Sequence, residues 1–232
     1  LQLRQKIANG EWKPLSDSYL QEPQDGYDVQ TTLDVNIQDV THHALLGALE
    51  NFEADHGTAI VMETETGAIR AVANLGRTEE GKYYEKLNYA IGESHEPGST
   101  FKLMALVAAF EDQVIDTTTV FDTQNGELTF YGKYKVRDSR KGGYGKIPIS
   151  EIFERSSNTG MVQAIYNEYN SKPEQFVNRL MNMGLSESLG LPIVGEAKPV
   201  IPHPDKKGWS GISLPWMAYG YGVLMTPMQT LT

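Results

Sequence analysis

Cysteine is absent from this chain. That absence excludes disulfides, thiolate metal sites and cysteine nucleophiles, and it fits either a reducing compartment or an exported protein without bridges. Positive charge is scarce as well. Twenty Lys and Arg stand against thirty Asp and Glu, a formal charge of -10. With no basic cluster interleaved with aromatics, this argues against nucleic acid or an anionic membrane surface as the main ligand. Long apolar runs are missing too. The longest, Leu103 to Phe110, is far too short to span a bilayer, and Leu1-Gln2-Leu3-Arg4 lacks the pattern of a signal peptide, so any anchor is expected outside these residues. Finally, there is no phosphate-cradling loop. Gly142-Gly143-Tyr144-Gly145-Lys146 lacks the hydroxyl residue that a Walker loop carries after its lysine, and Ile147-Pro148 does not open a helix.

What is present has the composition of a globular protein, and 232 residues suffice to bury a substantial core in one domain or one and a half. Residues 1–26 are polar and turn-rich without a sustained period, and read as a connector from an upstream domain, with the body starting near Tyr27. Val29 to Leu33 is a strand candidate. Asp34 is a natural N-cap for an amphipathic helix whose apolar positions are Ile37, Val40, Ala44, Leu45, Ala48, Leu49 and Phe52. Thr58–Met62 and Ala68–Ala73 flank Glu63-Thr64-Glu65-Thr66-Gly67, the pattern of an antiparallel hairpin. Short hairpins and loops are expected around Asn125-Gly126, Tyr131-Gly132 and the glycine cluster. Helices return over 150–154, 160–169 and 173–183, the last stopped by Gly184.

The most informative local feature is Ser99-Thr100-Phe101-Lys102, which follows Glu96-Pro97-Gly98 and opens the most apolar helix of the chain. On a helix, i and i+3 share a face with Cβ atoms roughly 5–6 Å apart, so the Lys102 amine can reach the Ser99 hydroxyl as a base beside a nucleophile. Burial and the positive end of the helix dipole both lower a lysine's pKa, and a serine N–H at a helix start can hold a developing oxyanion. The same residues also admit a purely structural account, with serine as a cap, Pro-Gly as a turn and the lysine reaching water along its own stem. A second polar knot, Arg155-Ser156-Ser157-Asn158-Thr159-Gly160, joins two apolar helical patterns. It reads either as a helix end followed by the next N-cap, or as a proton relay at Ser156 with an amide grip at Asn158.

In this order, Ser99-x-x-Lys102 and Ser156-x-Asn158 resemble the first two active-site motifs of penicillin-binding proteins and serine β-lactamases. The flanks narrow the resemblance to class B penicillin-binding proteins: Tyr27 to Asp34, the hairpin with Glu65-Thr66-Gly67, the Glu96-Pro97-Gly98 lead-in, Tyr219-Gly220-Tyr221-Gly222, and Thr226-Pro227-Met228-Gln229. The likeness covers residues 27–232. The third motif of that family, Lys-Thr-Gly or Lys-Ser-Gly, does not occur. Lys206-Lys207-Gly208 mimics it but precedes the Tyr219 to Gln229 stretch, whereas the family places its motif afterwards.

The resemblance implies an α/β transpeptidase fold of the penicillin-binding protein/serine β-lactamase type, an antiparallel sheet with a helical subdomain, the sheet incomplete because the chain is C-terminally truncated. One hairpin edge is then left unpaired, with reduced stability or pairing between chains as the consequence. It further implies a D-Ala-D-Ala transpeptidase that cross-links peptidoglycan through an acyl-serine, with Ser99 as nucleophile, Lys102 as base, Ser156 as proton shuttle and Asn158 as substrate or lysine contact. Peptidoglycan stem peptides, β-lactams and membrane-embedded cell-wall synthesis proteins are the implied partners, at the extracytoplasmic face of the bacterial cytoplasmic membrane. No cofactor or metal is implied. A β-lactamase, a β-lactam sensor and a non-catalytic cell-wall assembly partner are the alternatives within the fold. The five histidines read as surface groups: His42 and His43 diverge by about 100° on a helix, and His56, His95 and His203 are scattered among polar loops.

Overall fold

The computed structural model describes residues 3–8, 10–14 and 25–232. The chain divides into two units, Leu1–Thr32 and Leu33–Thr232. In the first, β1 (Arg4–Lys6) and β2 (Trp12–Pro14) pair antiparallel with Arg4 opposite Pro14. Gly10, at φ +87°, supplies the left-handed turn between them. The sequence reading, which found no periodic element before Tyr27, did not anticipate this hairpin, because three-residue strands are too short to show a period. The rest of the expected connector, residues 1, 2, 9 and 15–24, lies outside the described residues.

The expected strand Val29 to Leu33 does not form. These residues are irregular, with Val29 83% exposed.

In the second unit, Asp34 caps α1 (Val35–Phe52) by accepting from the Asn36 and Ile37 N–H groups, as the sequence suggested. The helix lies against β3 (His56–Met62) and β4 (Ile69–Arg77), the expected hairpin, closed through Gly67 at φ +70°. The helix face differs from expectation: Ile37, Val40, Ala44, Ala48 and Phe52 are exposed. Thr41 and Leu49 are the buried positions, and Gln38 bonds β4 like an extra strand residue, donating to Val72 O at 2.9 Å and accepting from Val72 N at 2.8 Å. Two satisfied backbone groups outweigh the wider apolar stripe in fixing the helix rotation.

β4 is the central strand, flanked by β3 and the short β5 (Tyr83–Tyr84), so β3 forms one edge of the three-stranded antiparallel sheet. The short helix α2 (Tyr89–Gly92) follows. A 3-10 turn over Gly98–Phe101 then feeds α3 (Lys102–Glu111). Next come β6 (Val120–Asp122), β7 (Glu127–Phe130), β8 (Tyr134–Arg137) and β9 (Lys146–Pro148), paired antiparallel as β6 with β9 and β7 with β8. The helices α4 (Ile149–Glu154), α5 (Asn158–Tyr169) and α6 (Pro173–Asn182) match the sequence periods within about two residues. Short helices α7 (Ser213–Met217) and α8 (Pro227–Leu231) complete the unit.

The main core gathers Phe101, Ala105, Leu106, Ala108 and Ala109 from the α3 region with Ile152, Met161, Ile165, Phe176, Leu180 and Met217. Small residues allow close approach. Gly160 in α5 is one such position, since a Cβ there would fall 2.7 Å from Ile152 of α4. Asp112, just past α3, accepts from Tyr169 Oη at 2.8 Å and from Arg179 Nε at 2.7 Å, tying α3 to α5 and α6. Loss of solvent around the Tyr169 hydroxyl, together with Asp112, raises its pKa.

Candidate active site

The sequence placed Ser99 at the start of a helix; it lies instead in the 3-10 turn, and α3 begins at Lys102. That turn is clamped from behind. Gly98 N donates to Gly220 O at 3.0 Å, Gly222 N donates to Glu96 Oε1 at 2.8 Å, and His95 and Met225 exchange backbone hydrogen bonds. Gly220 is at φ +87°, and a Cβ there would fall 2.0 Å from the Gly98 carbonyl oxygen, so only glycine fits. Thr100 Oγ1 closes the turn on Pro97 O at 2.7 Å. Ser99 itself is exposed, and its hydroxyl makes no hydrogen bond among the described residues.

Lys102 is 1% exposed, the sole lysine in the buried set among the described residues. Its amine does not bond Ser99. It donates to Ser156 O at 2.6 Å, Ser156 Oγ at 2.9 Å and Asn158 Oδ1 at 2.7 Å. The structure thus joins Lys102, Ser156 and Asn158 in one cluster, while Ser99 touches Lys102 through the main chain, its carbonyl accepting from the Lys102 N–H. Burial pulls the Lys102 pKa down to about 8, against a smaller upward effect of the Asp138 charge.

Two structural reasons place the α4–α5 turn here. Ser156 adopts φ +52°, a left-handed conformation that costs a serine of order 1 kcal/mol, and presents both its carbonyl and its hydroxyl to the amine. Ser157 caps α5 by accepting from Gly160 N at 3.0 Å. Within this knot Ser157 is the cap, while Ser156 and Asn158 face the lysine.

Asp138 escaped the sequence reading. Its carboxylate accepts from Ser157 Oγ, from Thr159 N at 2.9 Å and from Thr159 Oγ1 at 2.7 Å, while Asn158 Nδ2 donates to Arg137 O at 2.8 Å. The end of β8 therefore holds the knot in place. No spacing rule marks Asp138, because it meets α5 only through the fold.

Comparison with known proteins adds the decisive observation: residues 57–232 match the penicillin binding protein transpeptidase domain. The chain belongs to the penicillin-binding protein transpeptidase family. It is 28% identical over 203 residues to peptidoglycan D,D-transpeptidase FtsI of Buchnera aphidicola subsp. Schizaphis graminum, covering 85% of this chain and 34% of that protein. It is 25% identical over 211 residues to FtsI of Escherichia coli K12, covering 89% and 34%. The transpeptidase domain of Burkholderia pseudomallei penicillin-binding protein 3 superposes with a TM-score of 0.70 at 25% identity, covering 89% of this chain and 57% of that one. The chain spans about a third of the length of the curated relatives it matches. The transpeptidase fold, with mixed helices and antiparallel sheets, is the one the sequence implied. Among the described residues, no helix is long and apolar enough to cross a membrane.

Proposed function

We propose that this chain carries the acylating centre of a serine D,D-transpeptidase that cross-links peptidoglycan stem peptides, and that β-lactams trap it covalently. The carrying observation is Lys102, an amine buried among protein acceptors with its pKa lowered to about 8. At pH 7 about a tenth of such an amine is unprotonated, two orders of magnitude or more above an ordinary lysine. That is the property a general base needs.

In this reading Ser99 Oγ attacks the carbonyl carbon between the two D-alanines and its proton passes to Lys102. The C–N bond then breaks, and the departing D-alanine amine receives the proton by way of the Ser156 hydroxyl. An acceptor amine from a neighbouring stem attacks the acyl carbon, gives up a proton to Lys102, and Ser99 leaves with its hydroxyl restored. The Ser99 N–H, at the start of a helical segment, is one oxyanion donor. Asn158 holds the lysine and has its own amide pinned to Arg137 O. By the same family reasoning the enzyme works outside the bacterial cytoplasmic membrane beside membrane-embedded cell-wall synthesis proteins, and residues 27–232 belong to its transpeptidase domain without supplying that domain's C-terminal strands.

Mass spectrometry of the intact protein after exposure to benzylpenicillin tests this. One adduct on the peptide containing Ser99, abolished by Ser99→Ala, is expected. An adduct elsewhere, or none in a folded protein, overturns the assignment.

A further inference from the structure

We propose that His56, Glu93 and His95 form a binding site for a divalent transition-metal cation of the zinc type, distinct from the Lys102 cluster. The sequence scatters these residues, yet the fold converges them: one ligand atom from each lies within 4.8 Å of the other two. His56 Nε2 is 2.7 Å and His95 Nε2 3.4 Å from Glu93 Oε2. A tetrahedral zinc with bonds of about 2.0–2.1 Å needs ligand separations of about 3.3 Å, so modest side-chain adjustment suffices.

The elements bearing the three ligands are fixed. His56 opens β3 and stacks on Tyr89 with ring centroids 4.3 Å apart. Tyr89 opens α2 and Glu93 is the C-cap residue of that helix. His95 is locked in its backbone bridge to Met225.

An independent observation points to a cation. Glu93 Oε2 is buried and makes no hydrogen bond, although it lies 2.7 Å from His56 Nε2 and 3.4 Å from His95 Nε2. Together with the neighbouring Ser94 Oγ it completes the set of buried, unpartnered side-chain polar atoms among the described residues. An unsatisfied buried carboxylate oxygen between two imidazoles is what a metal would resolve. Two imidazoles and one carboxylate suit zinc rather than magnesium or calcium, which prefer all-oxygen shells, and a water would fill the fourth position. A bound ion would link strand β3 to the segment that leads into the Ser99 turn.

The test titrates metal-free intact protein with Zn²⁺ alone by calorimetry. One saturable ion per chain is expected, with no comparable binding of Mg²⁺. His56→Ala, Glu93→Gln and His95→Ala should each weaken zinc binding at least tenfold, and a His42→Ala/His43→Ala control should leave it unchanged. In the unmutated protein, zinc should also shield His56 and His95, and not His42 and His43, from diethyl pyrocarbonate, read by mass spectrometry. No saturable binding, no such shielding, or binding that survives loss of His56 and His95 overturns the proposal.

Discussion

Lys102 Nζ lies 2.6 Å from the carbonyl oxygen and 2.9 Å from the hydroxyl of Ser156, a residue held in the left-handed region at φ +52°. A buried amine and a strained turn thus stabilise each other: the turn supplies acceptors that solvent would otherwise provide, and the amine satisfies a carbonyl that the helix end leaves free. Four predictions rest on this cluster and on the elements that hold it.

Acylation by a β-lactam should rise with pH and level off above about 8, as Lys102 loses its proton. Asp138 raises the Lys102 pKa, so Asp138→Asn should move the rising limb to lower pH, by about a few tenths of a unit. Asparagine still offers an acceptor to Thr159 N, which keeps the α5 start formed. Stopped-flow acylation rates across pH 6–10 would decide this, and a shift to higher pH would contradict it.

Stability should carry the same signature. The folded pKa of Lys102 is about 8 and an unfolded lysine titrates near 10.4, so between them the unfolded chain binds more protons. Stability therefore increases as pH rises through this window, and the penalty of burying the charge is fully present below it. Relative to Lys102→Met, the parent protein should gain on the order of 3 kcal/mol between pH 8 and 10.5, measured by urea unfolding at several pH values. A flat difference would show that the amine is not desolvated.

Gly220→Ala should disable acylation without touching any polar group of the site. The new Cβ would meet the Gly98 carbonyl at 2.0 Å in a backbone conformation unfavourable to alanine. Relief requires moving the lead-in to Ser99. We expect a stability loss of about 2–4 kcal/mol and a fall in acylation rate that exceeds that of Gly222→Ala, whose Cβ would meet open space although its φ of +75° carries the same backbone strain.

Asp112→Asn should weaken the anchor of α3. The Asp112 side chain is 4% exposed and takes bonds from Arg179 and Tyr169. Neutralising it leaves the guanidinium without a counter-charge, a cost of about 2 kcal/mol in chemical denaturation, while Tyr169→Phe, which removes the hydroxyl shared between Asp112 Oδ2 and Ala108 O, should cost about 1 kcal/mol.

Sequence alone determined what local chemistry dictates. Asp34 caps its helix, Gly67 turns its hairpin, Gly184 follows its helix, and the order of Ser99, Lys102, Ser156 and Asn158 suggested the family whose domain matches residues 57–232. Each of these depends on residues near one another in the chain, or on motif order, and both are visible in a string of letters. The fold decided which face of α1 is buried, since the Gln38–Val72 bonds overrode a broader apolar stripe. It also decided that the Lys102 amine turns to the α4–α5 knot, that Asp138 braces that knot, that Gly220 seats against Gly98, and that two histidines reading as surface groups converge on Glu93. All of these are meetings between segments distant in sequence, where desolvation and hydrogen-bond geometry set the outcome. Those energies exist only once the chain has closed on itself.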